Sequence, residues 1–234
     1  MTSGTLVRPS TLTRIALWLS LLVITSSVAF LVNHYPDLPD ILPVHFNRYG
    51  FPDGWQYKTP ARVLLPVFVQ VALVTTFGAV TVLLLSRPHG ALDQDAPDVR
   101  AAAAAAEAIA LIALVWVGFQ AYAAFALAAM WQRQRAGLGV FYTVLEVTGI
   151  VASILVFVRA RLRLGRPAPR PFNEAHWWLG QLYRNREDPA LFVPTRDGSR
   201  WTLNFGRPVA AALMGIFLVS GIVGPVVILL LLLR

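Results

Sequence analysis

RVLLPVFVQVALVTTFGAVTVLLLS, residues 62–86, decides the fold class. After Arg62 it carries no charged side chain, and its polar groups are Gln70, Thr75, Thr76, Thr81 and Ser86. A helix needs about 20 such residues to cross about 30 Å of hydrocarbon, and it satisfies its own backbone groups while doing so. Four further blocks have the same character: 12–32, 105–130, 138–158 and 209–233. The last ends in the run Ile228 to Leu233, and the third opens in the alanine run 101–106. The expected fold is an all-α integral membrane protein of about five transmembrane helices.

The totals agree with the blocks. Of 234 residues, 56% are hydrophobic and 14% charged, and mean hydropathy is +0.60. A soluble domain would be about half apolar and about a quarter charged. There is no cysteine, which removes disulfides, thiolate nucleophiles and cysteine-ligated metals together. The net charge is +8, and Lys58 is the only lysine. Most of the excess lies in one loop beside a span, which points to lipid headgroups or topology and away from nucleic acid.

Ser27-Val28-Ala29, behind Arg8 and Arg14, would pass as a signal-peptide cleavage site. The apolar stretch nevertheless continues through Phe30, Leu31 and Val32, long for a signal region, so an uncleaved span is expected. With the N-terminus inside, fourteen basic residues fall in cytoplasmic segments and six outside. The positive-inside rule therefore predicts a bacterial cytoplasmic membrane protein with its N-terminus inside and its C-terminus outside. The expected divisions are a two-span domain over 12–86, spans three and four over 87–158, a basic cytoplasmic loop with an aromatic module over 159–208, and span five over 209–234.

The outside loop, 33–61, includes PDLPDILPVHFNRYGFPDGW over residues 36–55. Its prolines preclude a regular helix. Val44-His45-Phe46 reads as a short extended piece and Pro52-Asp53-Gly54 as a turn. Trp55 and Tyr57 are expected at headgroup level. Leu38, Pro39, Pro43, His45, Phe46, Asn47, Gly50, Pro52, Asp53, Gly54 and Trp55 together resemble the motif of a bacterial membrane domain of unknown function. The same domain opens the SdpI-type proteins, which protect a cell against a secreted peptide toxin and signal to a repressor. The resemblance covers roughly 12–86 and implies two spans with a compact loop, without a defined chemistry. His45, Asn47, Asp53 and Trp55 are candidate binding residues. They could contact a peptide or lipid, or hold a metal with His34, Asp37 or Asp40. Alternatively His45 and Asn47 brace the loop through its own backbone.

The cytoplasmic loop opens with Arg159, Arg161, Arg163, Arg166 and Arg170. These are expected to attract anionic lipid or simply to anchor topology. Pro167, Pro169 and Pro171 then form a stiff linker. Leu191-Phe192-Val193 and Trp201-Thr202-Leu203 read as two short strands around a turn at Asp197-Gly198. Trp177, Gly180, Tyr183, Asn185, Asp188, Pro189, Phe192, Val193, Pro194, Thr202, Leu203, Asn204 and Phe205 resemble a second small domain of unknown function, often fused to the first. Trp177, Tyr183, Asn185, Asp188 and Asn204 are candidates for docking a cytoplasmic protein, or for forming turns. No Gly-rich phosphate loop or Walker lysine is present, and no cofactor or resident metal is expected.

Within the spans, Glu146, Gln70 and Gln120 are the polar candidates. An intramembrane carboxylate must face a partner or a cavity, or be protonated; Tyr122 is a further candidate partner. Glu107 falls at the inner edge of span three. Gly215, Gly221 and Gly224 permit close helix packing or a homodimer. Three functions follow in order: a sensing or immunity-type membrane protein with a peptide outside and a protein partner inside; a membrane enzyme acting on lipid or peptide; and a small transporter or transporter subunit. No HExxH, GxSxG or aspartyl-dyad pattern supports the second, and no inverted repeat supports the third.

Overall fold

The computed structural model describes residues 7–47, 51–86, 96–133, 137–165, 167 and 172–219. Four helices are long and apolar enough to cross a membrane: α1 (Thr11–His34), α3 (Leu65–Leu85), α4 (Pro97–Arg133) and α5 (Val140–Leu164). They make this a helical membrane protein. The fifth apolar block enters as α6 (Pro208–Val219), shorter than a span, and the rest of that block lies outside the described residues. The helices are apolar around most of their circumference. Trp18 and Leu22 on α1 and Leu155 on α5 stand 73%, 61% and 62% exposed, as side chains that contact lipid do.

Two element boundaries differ from the sequence expectation. The second span is split, with a short α2 (Pro60–Val63) before α3. Pro66 causes the break, because it lacks an N–H and its ring clashes with the carbonyl four residues back, at Arg62. Pro60 sits in the first turn of α2, where the missing N–H costs nothing, and Thr59 caps it by accepting from the Arg62 N–H. The third span starts earlier than expected. Pro97 begins α4, and the alanine run continues it as helix; at 37 residues α4 is about 55 Å long. Alanine is the best helix former, and Ala101, Ala102 and Ala106 are buried.

The chain forms two compact units. One comprises 12–78 and 110–157. Its core gathers Leu31, Leu38, Leu42, Val63, Val67, Ala124, Ala128, Met130 and Trp131 beneath a two-stranded antiparallel hairpin, β1 (Ile41–Phe46) and β2 (Pro52–Tyr57). The other comprises 1–11, 79–109 and 158–234. Its core joins Val80, Leu84, Leu85, Val99 and Ala106 to Leu191, Ala210 and Leu213, with Phe192, Leu203 and Phe205 packed against it. The aromatic module on this unit holds two small hairpins: β3 (Trp177–Trp178) with β4 (Leu182–Tyr183), and β5 (Phe192–Pro194) with β6 (Trp201–Leu203). Helix α4 supplies residues to both units.

Candidate functional site

The hairpin of the first unit is built by non-local pairing. Pro43 pairs with Trp55 and Ile41 with Tyr57, and a bulge lies around His45. Pro52-Asp53-Gly54, expected as a turn, is part of β2. The last described residues that join the two strands are instead Asn47 and Phe51. The Asn47 N–H donates to the Phe51 carbonyl (2.9 Å), and the Phe51 N–H donates to Asn47 Oδ1 (3.1 Å). Gly54 is required where it stands, since a Cβ there would lie 2.8 Å from the His45 Cβ. That close approach lets His45 Nδ1 bond Asp53 Oδ1 on the neighbouring strand.

Trp131 and the buried Leu42 hold the hairpin to the helices, and Lys58 ties its end to the α1–β1 loop. The Trp131 indole donates to the Pro43 carbonyl (3.0 Å). Lys58 Nζ donates to the Leu38 carbonyl (2.6 Å), lies 3.7 Å from Asp40 and sits over the Tyr35 ring. Leu42 is fully buried in the core below. Sequence reading singled out neither Lys58 nor Trp131; a sole lysine was the available signal. The outward face keeps Ile41, Trp55 and Tyr57 exposed at 53%, 58% and 75%, next to the exposed His45–Asp53 pair. His34 turns back on its own helix, its Nδ1 bonded to the Phe30 carbonyl (2.8 Å). Among the described residues no group of three or more His, Asp or Glu is arranged to hold a metal.

In the aromatic module, the candidate polar residues divide between interior and surface. Asn204 is fully buried. Its Oδ1 accepts from the N–H groups of Asn185 (3.0 Å) and Gly206 (2.9 Å). Its Nδ2 donates to the carbonyls of Asn185, Asp188 and Ala190. Asp188 accepts from the Tyr183 hydroxyl (3.1 Å) and the Ala190 N–H (2.9 Å). Asn185 accepts from the Glu187 N–H. These groups organise the loop that joins β4 to β5. Trp177 packs edge-on against Tyr183 and, with Phe172, His176, Val193 and Arg196, lines a cavity of 140 Å³.

The β3–β4 tip is unusual. Leu179 and Gly180 both have positive φ, 51° and 67°, as a type I′ turn requires. A leucine there carries strain of about 1 kcal/mol or more. It nevertheless stands 75% exposed beside Trp178 at 60%. The opposite turn is held by Asp197, which accepts from the Thr195 hydroxyl (2.6 Å) and from the Ser199 N–H and hydroxyl. These hydrogen bonds, Ser199's first, bring its carboxyl down to about 2.

Inside the spans, Gln70 is buried, donating to Ser27 Oγ and to the Val117 carbonyl, each at 3.0 Å. Gln120 is partly buried on α4, and Glu146 is exposed on α5, a helix only 6% buried along its most apolar window. The charged contact that sequence reading did not pair is Glu107 with Arg159 and Arg163. Glu107 is 7% exposed; its Oε1 accepts from Arg163 (2.8 Å) and lies 3.5 Å from Arg159.

Residues 21–69 match the model of a domain of unknown function, DUF1648, and residues 186–210 match that of a family of unknown function, DUF5808. The first match takes in the second half of α1, the hairpin, α2 and the start of α3; the second takes in Asp188, Ala190, Asn204 and Gly206 of the Asn204 network and begins just after Asn185. No curated protein and no solved structure gives a match.

Proposed function

We propose that this is a sensing or immunity-type protein of the bacterial cytoplasmic membrane. Its hairpin faces outward and takes a peptide or envelope component; its aromatic module faces the cytoplasm and engages a protein partner. The N-terminus lies inside and the C-terminus outside, following the arginine distribution. The observation that carries the reading is that each soluble element is a folded surface clamped to helix ends. The hairpin offers Ile41, Trp55, Tyr57 and the His45–Asp53 pair, held by Trp131 and Lys58. The module offers Trp178 and Leu179, carried on a strained turn, over a core shared with α3 and α4. Since α4 enters both units, a displacement at one end has a covalent route to the other.

Orientation is tested first. The chain has no cysteine, so single cysteines at the exposed Gln56 and Gln181 can be labelled in intact cells with a membrane-impermeant maleimide. Labelling at 56 and not at 181 agrees with the proposal; the reverse rejects it. A photo-crosslinking residue at position 55 or 57, and another at 178, then reports the neighbours in growing cells. Peptide or envelope-protein adducts at 55 or 57 with soluble-protein adducts at 178 support the sensor. Phospholipid adducts alone at all three positions reject it.

A further inference from the structure

The Glu107 cluster has more positive charge than it consumes. Arg159 and Arg163 are one turn apart on α5 and therefore share a face. Both are directed at the same oxygen of one carboxylate, from 3.5 Å and 2.8 Å. Glu107 is nine-tenths buried, whereas the two arginine side chains are 45% and 51% exposed. Each guanidinium has five N–H donors in a planar fork, and among the described residues the acceptor that faces both is one oxygen of Glu107. The cluster keeps one net positive charge. Two like charges one turn apart repel each other, and the carboxylate between them offsets this and fixes where both forks point.

We propose that Arg159 and Arg163, positioned by Glu107, form a binding site for the phosphate of an anionic phospholipid headgroup. A phosphodiester supplies further acceptor oxygens to the two forks, and paired arginines suit its geometry better than a single charge does. Its acyl chains have an apolar surface to lie on, since Val158 and Leu162 on α5 are exposed at 44% and 78%. The inference rests on the membrane reading and on the proposed orientation, which puts this end in the leaflet where basic segments meet anionic lipid. Arg161 is two residues from each arginine and on a different face of α5. It has the same charge and no bond to Glu107, so it serves as the internal control.

The test is native mass spectrometry of the full chain released from nanodiscs. One set contains phosphatidylglycerol and phosphatidylcholine in equal parts; the other contains phosphatidylcholine alone. Both leaflets have the same composition, so an inverted topology would not hide the site. The expected result is one retained phosphatidylglycerol per chain, with retention falling roughly tenfold in Arg159→Gln and in Arg163→Gln and unchanged in Arg161→Gln. Excess inorganic phosphate should not displace the lipid; displacement would make the ligand a free phosphate. An equal loss in Arg161→Gln would reduce the effect to general charge attraction, and no loss in any variant would remove the site. Circular dichroism of each variant separates these outcomes from misfolding.

Discussion

Asn204 holds the backbone of Asn185 at both of its polar groups. The Asn204 Oδ1 takes the Asn185 N–H at 3.0 Å, and its Nδ2 gives a hydrogen bond to the Asn185 carbonyl at 2.8 Å. The same side chain spans 14 to 19 residues of sequence by also bonding Ala190 and Asp188. Gly206 completes the arrangement. A Cβ at that position would collide with the Asn185 carbonyl and come within 2.8 Å of the Arg186 nitrogen. The loop that seats Leu191 in its core is therefore fixed by one buried amide and one missing side chain.

Asn204→Ala leaves the Asn185 and Gly206 N–H groups without an acceptor inside the module. Each buried unpaired group costs about 1–3 kcal/mol, so a loss of about 3 kcal/mol is expected. Asn204→Asp keeps the acceptor but turns a carboxylate towards three carbonyls, and should be at least as damaging. Gly206→Ala should resemble Asn204→Ala, and the double variant should lose less than the sum because both act on one network. Limited proteolysis across 172–207, run alongside thermal unfolding, reads all four. Wild-type resistance in Asn204→Ala would show that the network is not what holds the loop.

What could be read from sequence followed the range of the interactions. The spans were legible because apolar length is a local property, and α1, α3, α4 and α5 all fall on expected blocks. Pro52-Asp53-Gly54 carries a local turn signature, yet pairing of Pro43 with Trp55 draws it into a strand. Asn185, Asp188 and Asn204 stood out by their pattern, but whether they face inward or outward depends on contacts across the module. Glu107 and Arg163 were each noticed singly; they are 56 residues apart, and no spacing rule joins them.

The hairpin should be sensitive at Gly54. Gly54→Ala forces the His45 backbone away by several tenths of an ångström, opening the bulge and parting His45 from Asp53. The expected loss is about 1–3 kcal/mol, the range for overpacking at a tight contact. Asp53→Asn keeps the shape and removes only the exposed pairing, so its loss should be within about 1 kcal/mol. Chemical denaturation followed by the near-ultraviolet signal of the hairpin aromatics separates the two. Equal losses would mean that the pairing, rather than the close approach, holds the strands together.

Acid should loosen the β5–β6 turn. The Asp197 carboxyl is brought down from 3.8 to about 2 by bonds from Ser199 and Thr195. A lowered folded value means that the charged form favours the closed turn. This contribution is complete above about pH 4 and disappears as pH falls through about 2. Hydrogen exchange at the Ser199 and Arg200 amides, corrected for intrinsic rates, should therefore rise between those limits. Asp197→Asn should remove the pH dependence. A wild-type turn with flat protection down to pH 2 would contradict the assignment.

Gln70 tests how much a polar group inside the spans is worth. Its two hydrogen bonds tie α3 to α1 and α4 through Ser27 and Val117, and interhelical bonds in membranes average about 0.6 kcal/mol each. A flip of the amide would turn its oxygen against the Val117 carbonyl, so the orientation is fixed. Its Oε1 is buried with no partner among the described residues, and such an atom costs about 1–3 kcal/mol. The gain from the two bonds and the cost of the bare oxygen nearly cancel. Gln70→Leu, which fills the same space, should change stability by less than about 1 kcal/mol. Gln70→Ala loses the bonds and leaves a cavity, so it should cost about 2 kcal/mol or more. Unfolding in graded detergent mixtures gives both numbers. If Gln70→Leu proved as damaging as Gln70→Ala, the hydrogen bonds would outweigh packing at this position, and the Oε1 acceptor would have to be bonded in the working protein.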